Sequence, residues 1–187
     1  MVVQLAGPAV PALANANPAV NLTQEVAPAL SLLEKMRAIG KGRIIHASAS
    51  AVYGPQKSFP VNEDAPTVPI SAYGVSKLAV EKYLHFFFTS ANLEYQALRI
   101  SNPYRPGQTG ESGQGVIGIW LSRLARGESI VLRGSGDTVR DFLYVDDAAE
   151  AIVAVVEQVK GPAILNVGSG VGTSLREVIQ TIENLTK

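Results

Sequence analysis

The stretch Ile44-Ile-His-Ala-Ser-Ala-Ser-Ala-Val-Tyr-Gly54 predicts a buried strand that opens into a loop of small residues. Strands that are buried on both faces are nearly continuously apolar, as in parallel sheets covered by helices. Ser48 and Ser50 place hydroxyl groups at the end of this strand. Parallel sheets bind their ligands beyond the carboxyl ends of their strands. The stretch therefore predicts a parallel α/β fold with a ligand site at this point.

Short apolar runs alternate with helical stretches on both sides of this strand. The predicted strands are 2–6, 43–47, 95–100, 130–133 and 163–167, and the predicted helices are 21–40, 71–91, 116–126, 147–159 and 174–184. This alternation is typical of a doubly wound parallel sheet that carries helices on both faces.

The composition excludes several classes of function. The 187 residues carry 16 basic and 16 acidic side chains, so no net charge attracts nucleic acid or an anionic membrane. Cysteine is absent, which removes disulfides and thiolate metal sites, and no metal site is predicted. No apolar run approaches the roughly eighteen residues of a membrane span. The composition fits a cytoplasmic enzyme.

The sequence Tyr73-Gly-Val-Ser-Lys77 lies near the start of the predicted helix 71–91. A spacing of four residues puts the phenol and the ammonium on one helical face, one turn apart. A nearby ammonium favours the phenolate, so the pKa of Tyr73 is expected below its usual value of about 10. Tyr73 is thus a candidate acid or base for a hydroxyl or carbonyl group. The alternative is an ordinary pair on a helix surface.

The run from Ser48 to Lys77 resembles the extended short-chain dehydrogenase/reductase family, the NAD-dependent sugar epimerases and dehydratases. Three later blocks resemble the same family in the same order, namely LRISNPYRPGQ at 98–108, RDFLYVDD at 140–147 and NVGSG at 166–170. The resemblance implies a Rossmann-type parallel sheet joined to a small α/β substrate-binding domain.

The resemblance also divides the chain. It implies a partial NAD-binding domain from 1–100 and 140–168, and a partial substrate-binding domain from 101–139 and 169–187. The family's sheet opens with a strand, a glycine-rich turn that holds the cofactor diphosphate, and a helix. The chain contains no such turn, so the first strands of the sheet are expected to be missing. Either a fragment of a longer gene product or a natural truncation would explain this.

By this resemblance, Tyr73 is the catalytic acid or base. Lys77 is expected to lower the pKa of Tyr73 and to bond the nicotinamide ribose of NAD. Ala47 and Ser48, at the end of the quoted strand, are expected beside the same cofactor.

The family usually orients its substrate with a Ser or Thr hydroxyl at the position that is Ala49 here. Ser48 or Ser50 is expected to replace that hydroxyl, and Ser48 is favoured; in the alternative, both hydroxyls only cap backbone groups. The family's dehydratases carry two acidic residues at the positions of Ser50 and Ala51, and neither residue can move a proton as a carboxyl does. Dehydration is therefore disfavoured. Glu25 stands where the family commonly has Asn.

Three residues are expected to contact the substrate. Asn102 and Arg140 match family positions that contact the diphosphate of a nucleotide sugar, and Tyr53 is assigned to the same site. Arg suits this role because its guanidinium can donate two parallel hydrogen bonds to phosphate oxygens. The alternative for Arg140 is a salt bridge to Asp141 or Asp146.

The leading hypothesis is an NAD-dependent epimerase of a nucleotide-activated sugar, expected to be a UDP-sugar. One alternative is an NAD(P)-dependent sugar-nucleotide reductase or dehydrogenase, and another is a catalytically silent truncated homologue. The family's dimers imply a homodimer that forms through helices 21–40 and 71–91. The side chains that favour this interface are Leu78, Tyr83, Phe86 and Phe87.

Overall fold

The computed structural model describes residues 1–7, 10–40, 42–108, 115–132 and 134–186. The helices are α1 (Pro11–Ala16), α2 (Pro18–Ile39), α3 (Ala72–Ala91), α4 (Val116–Ala125), α5 (Val145–Gln158) and α6 (Leu175–Leu185). The strands are β1 (Val2–Gln4), β2 (Arg43–Ala49), β3 (Glu94–Ile100), β4 (Asn102–Tyr104), β5 (Val139–Tyr144), β6 (Ala163–Val167) and β7 (Gly172–Ser174). The chain forms two compact units, one of 1–100 with 151–167 and one of 101–150 with 168–187.

The first unit contains a four-stranded sheet in the order β1-β2-β3-β6. All three strand pairs are parallel, and Ile44 of β2 lies between Val2 and Tyr95 of its two neighbours. The predicted parallel sheet is therefore confirmed. The strand quoted at the start of the sequence lies inside the sheet, as its continuous apolar run indicated.

Helices α2 and α3 pack together against this sheet. Their apolar faces join the sheet in one core, with fully buried members at Leu33, Ile44, Val80 and Leu84. Helix α2 ends at Gly40, whose φ of 81° is the left-handed conformation that glycine adopts at little cost. Helix α3 begins after Ser71, whose hydroxyl accepts the N–H of Gly74 at 3.1 Å. The Ser71 cap fixes the residue at which α3 begins.

The second unit contains a three-stranded sheet in the order β4-β5-β7. Strands β4 and β5 are parallel, whereas β5 and β7 are antiparallel. A separate core surrounds Trp120 of α4 and Val178 and Ile182 of α6. Helix α6 begins with a capping box between Ser174 and Glu177.

The sequence prediction was wrong for part of this second unit. Residues 130–132 form no strand, and Arg133 lies outside the described residues. Ile130 and Leu132 pack against the core around Trp120 instead, which explains why this run is apolar. The sheet is built from β4, β5 and β7, of which two have only 3 residues. Such short strands leave almost no alternating pattern for prediction.

The division of the chain differs from the sequence-based one in residues 140–150. These residues belong to the second unit, because β5 pairs with β4 and β7. The assignment of the cofactor to the first unit and of the substrate to the second stays a prediction. Among the described residues, no helix combines the length and the apolar character that a membrane span requires.

Candidate active site

Helix α3 presents three ionisable groups along one face, because Tyr73, Lys77 and Glu81 follow one another at intervals of four residues. Lys77 is buried and donates a hydrogen bond of 2.9 Å to the carbonyl oxygen of Ala47 in β2. The structure thus brings Lys77 to the end of β2, where Ala47 and Ser48 were expected beside the same cofactor.

The partner of Lys77 on the neighbouring helix is Glu25 of α2. Its Oε1 lies 2.7 Å from Lys77 Nζ, and the side chains of the two residues are only 8% and 1% exposed. The sequence carried a signal for this burial. Glu25 falls on the stripe of Asn21, Ala29 and Leu33, which recurs every four residues and faces the core.

The second oxygen of Glu25 is in an unusual environment. Oε2 is buried and has no hydrogen-bond partner among the described residues. A Cβ atom added to Gly7 would lie 2.2 Å from this oxygen, so the carboxylate fills the space that a side chain at position 7 would need. The carboxylate group therefore packs directly against the backbone that follows β1.

Tyr73 is half-buried, and Lys77 Nζ lies 5.7 Å from the centre of its ring. Burial raises the pKa of Tyr73 to about 12, and the negative charge of Glu25 adds to the rise. The lowered pKa that we expected from Lys77 is therefore wrong, because burial and Glu25 together outweigh the ammonium. Tyr73 is protonated at neutral pH in this structure.

Ser48 is directed along α3 and away from Tyr73. Its hydroxyl donates a hydrogen bond of 2.5 Å to Oε1 of Glu81. Glu81 lies eight residues from Tyr73, or about 12 Å along the helix axis. Glu81 also forms a buried ion pair with Arg99 of β3 at 2.8 Å. The structure does not bring the Ser48 hydroxyl together with the phenol.

Ser50 lies closer to the start of α3. It begins a short 3₁₀ turn, Ser50–Val52, that follows β2 directly. The carbonyl oxygen of Ala51 lies 2.5 Å from the position that a Cβ on Gly74 would occupy, so this turn packs against the first turn of α3. Of the two serines, Ser50 is the one that the chain places beside the segment carrying Tyr73.

Tyr53 belongs to the core of the first unit. It is buried, its hydroxyl donates a hydrogen bond of 2.6 Å to Oδ1 of Asn166, and Arg99 lies over its ring at 4.6 Å. A contact between its hydroxyl and a substrate would require that these interactions be broken. The structure thus does not support the substrate role predicted for Tyr53.

His46 lies on β2, next to Ala47. Its Nδ1 is 3.0 Å from the amide oxygen of Gln4, whereas its Nε2 is buried without a partner among the described residues. Burial lowers the pKa of His46 to about 3, and the positive charge of Lys77 adds to the fall. His46 is therefore neutral at physiological pH.

Asn102 and Arg140 lie in the second unit. Asn102 donates a hydrogen bond of 2.9 Å to the carbonyl oxygen of Asp141, which joins β4 to β5. Arg140 is exposed and donates to the carbonyl oxygen of Val139 at 2.9 Å. Within the described ranges, Arg140 makes no ion pair, so the salt bridges to Asp141 or Asp146 that we considered do not form.

The glycine-rich loop 168–170 is closed by a carboxylate of the chain itself. Asp141 accepts the N–H of Ser169 at 2.9 Å and the N–H of Gly170 at 3.0 Å. A Cβ on Gly168 would lie 2.5 Å from the same carboxylate, which explains the glycine. The loop is therefore a structural turn that surrounds the carboxylate of Asp141. Among the described residues, no group of His, Asp or Glu side chains is arranged to hold a metal ion.

A parallel α/β sheet with a tyrosine and a lysine one helical turn apart, beside the end of an inner strand, defines a site of the short-chain dehydrogenase/reductase type. More narrowly, the chain belongs to the NAD dependent epimerase/dehydratase family, whose model matches residues 1–168.

Several known proteins are similar to the chain. It is 32% identical to a UDP-glucose 4-epimerase of Mycolicibacterium smegmatis, over 87% of this chain and 52% of that protein. It is 38% identical to a dTDP-4-dehydro-6-deoxyglucose reductase of Escherichia coli, over 77% of this chain and 46% of that protein. A UDP-glucose 4-epimerase of Thermotoga maritima, solved with UDP-glucose, superimposes with a TM-score of 0.94 at 34% identity and covers 99% of this chain and 60% of its own. The chain thus spans about half the length of the curated relatives it matches.

Proposed function

We propose that the protein to which this chain belongs is an NAD-dependent epimerase of a UDP-sugar, with Tyr73 as its acid and base. The observation that carries the proposal is the buried lysine one turn from Tyr73, anchored at 2.9 Å to the carbonyl of Ala47 at the end of an inner parallel strand. The UDP-glucose 4-epimerases among the relatives support the choice of reaction.

In this proposal, Tyr73 acts as the phenolate, which the positive charge of a bound nicotinamide would favour over the protonated form of this structure. It takes the proton of a sugar hydroxyl and returns it after the keto sugar has turned in the site. NAD, when bound, supplies the acceptor and donor of the hydride. Lys77 uses two of its three N–H donors on Glu25 and Ala47, which leaves one donor for the nicotinamide ribose. Ala47 and Ser50 lie beside this lysine and the start of α3, and we assign the substrate-orienting hydroxyl to Ser50.

The nucleotide diphosphate is assigned to the second unit. The exposed guanidinium of Arg140, with a single backbone contact among the described residues, suits a forked contact to phosphate. Asn102 keeps its amide oxygen for a donor, since only its N–H₂ group contacts Asp141.

The test uses the complete gene product, purified and assayed with NAD and UDP-glucose. Tyr73→Phe should lower kcat about 10²–10⁴-fold while UDP-sugar binding stays nearly unchanged, because only the proton-carrying oxygen is lost. Tyr83→Phe, on an exposed tyrosine of the same helix, is the control and should keep full turnover. Retention of more than about a tenth of kcat by Tyr73→Phe would contradict the assignment.

A one-way reductase is the second candidate, and a specific observation favours it. The Tyr73 phenol is protonated in this structure, which suits the donation of a proton to a substrate carbonyl while hydride from a reduced nicotinamide reaches its carbon. The Escherichia coli relative is a reductase of a dTDP-sugar. Product analysis separates the two reactions, since an epimerase causes no net change in NADH and a reductase consumes it.

We also propose that the protein is a cytoplasmic homodimer that forms through α2 and α3. Val75, Tyr83 and Phe86 form an exposed apolar stripe on α3. Phe87, which we expected in the same surface, is buried in the core. Phe86→Arg should produce monomers in sedimentation at micromolar concentration, whereas Val153→Arg, on an equally exposed valine of α5, should not. A monomeric parent protein would contradict the dimer.

A further inference from the structure

The charges that act on Tyr73 come from two helices of the first unit. Helix α3 contributes Lys77, whose Nζ lies 5.7 Å from the centre of the ring, and helix α2 contributes Glu25, whose negative charge raises the pKa of the phenol. On strand β2, His46 is affected by the charge of Lys77 and is neutral above about pH 3. Both members of the Lys77–Glu25 pair are buried, so water screens neither of them strongly.

We propose that Glu25 is a positioning residue that acts on Tyr73 through Lys77: its carboxylate holds the ammonium against β2 and compensates its charge at the phenol. This inference rests on the proposed role of Tyr73 as the acid and base. Its test below measures the ionisation of the phenol and needs no turnover.

The geometry supports a permanent contact between Glu25 and Lys77. Glu25 Oε1 and the carbonyl of Ala47 hold Lys77 Nζ from two sides, at 2.7 and 2.9 Å. Oε2 occupies the space that a Cβ at position 7 would need. An ammonium alone, at 5.7 Å from the ring centre, would stabilise the phenolate. With a carboxylate bonded to it, the pair presents almost no net charge to the phenol, and burial then favours the neutral form.

The first test titrates the phenol of Tyr73 in this chain by NMR of carbon-13-labelled tyrosine, with Tyr73→Phe to assign the signal. Glu25→Gln keeps the shape of the side chain and removes its charge. In this variant the acid dissociation constant of Tyr73 should rise about tenfold or more, so its pKa should fall. The reason is that no carboxylate then compensates the positive charge of Lys77. Glu34→Gln removes an exposed carboxylate from the same helix and should leave the constant unchanged. An unchanged constant in Glu25→Gln would overturn the proposal.

A second variant keeps the proposal testable if Glu25→Gln does not fold. The double variant Glu25→Gln, Lys77→Met removes both charges and leaves no buried charge without a partner. If the pair acts as a neutral unit, the Tyr73 ionisation constant should stay within about threefold of the parent. A fall of about tenfold or more would show that Lys77 stabilises the phenolate in the parent, and the proposal would be wrong. Loss of epimerase activity alone would bear on the proposed function and not on this result.

Discussion

The two buried ion pairs of α3 lie one helical turn apart, at Lys77 and at Glu81, yet they are built differently. Glu81 accepts three hydrogen bonds, two from Arg99 and one from Ser48, so both of its oxygens are used. Glu25, the partner of Lys77, accepts one, and its Oε2 has none among the described residues. Buried polar groups in proteins are almost always hydrogen-bonded, so the two carboxylates differ in a property that is rarely left open.

The difference also lies in the cations. Arg99 cannot lose its proton inside a protein, and its guanidinium holds the carboxylate from two sides. Lys77 makes one contact with Glu25 and one with the carbonyl of Ala47, so its ammonium keeps a third N–H donor free for another partner. The Glu81–Arg99 pair is thus suited to a closed structural link, whereas the Lys77–Glu25 pair leaves one donor of the ammonium for a ligand.

The largest expected effect separates the two pairs by stability. Glu81→Gln should lower the free energy of unfolding by about 3–5 kcal/mol, because Arg99 stays charged and buried without its carboxylate. Glu25→Gln should cost only about 1–3 kcal/mol, because Lys77 loses the charge of a single contact and keeps its hydrogen bond to the carbonyl of Ala47. Urea denaturation of the chain measures both, with Glu34→Gln as the exposed control on α2. Equal costs, or the reverse order, would remove the distinction between the pairs.

The second prediction concerns acid stability near Lys77. His46 has its pKa lowered from the usual 6.5 to about 3, so between these pH values the unfolded chain binds a proton at His46 and the folded chain does not. The contribution of the neutral His46 to the free energy of unfolding is fully present above about pH 6.5 and is lost as the pH falls towards 3. Between about pH 6.5 and pH 4 the loss should be about 3 kcal/mol. His46→Gln should lose less on acidification, whereas the exposed His85→Gln should behave like the parent. An identical acid dependence in all three chains would contradict the burial of a neutral His46.

The smallest expected effect distinguishes the two serines. Ser48→Ala removes a hydrogen bond to the charged Glu81 and should cost about 1.5 kcal/mol, measured by urea denaturation. Ser50→Ala should leave stability nearly unchanged, since the Ser50 hydroxyl has no hydrogen bond among the described residues. In the complete protein, Ser50→Ala should lower kcat, whereas Ser48→Ala should leave it nearly unchanged. A Ser48→Ala variant that keeps its stability but loses turnover would restore the role first predicted for Ser48.

The sequence was sufficient for the parts of the fold that local patterns determine. The apolar run of β2 predicted an inner parallel strand, and the spacing of Tyr73 and Lys77 predicted their shared helical face; the parallel sheet is confirmed. The contacts of the site could not be predicted in the same way. Lys77 meets Glu25 across 52 residues, and Ser48 meets Glu81 across 33. These contacts depend on which residues of α2, α3 and β2 come to lie opposite one another, which no local pattern specifies.

The sign of the pKa shift of Tyr73 shows the same limit. Lys77 was visible in the sequence four residues away, so only its attraction for the phenolate entered the prediction. Glu25 was noticed as a departure from the family but had no assigned contact. Its position beside Lys77, together with the burial of the phenol, reverses the expected direction.

The close approach of Gly7 to Glu25 couples the residue types that these two positions can carry. A side chain at position 7 would place its first carbon 2.2 Å from Glu25 Oε2, so the end of the glutamate side chain would have to move. The same carboxylate is bonded to Lys77 at 2.7 Å, so such a move would disturb the partner of the ammonium. Glycine at position 7 therefore leaves the acidic residue at position 25 in its place.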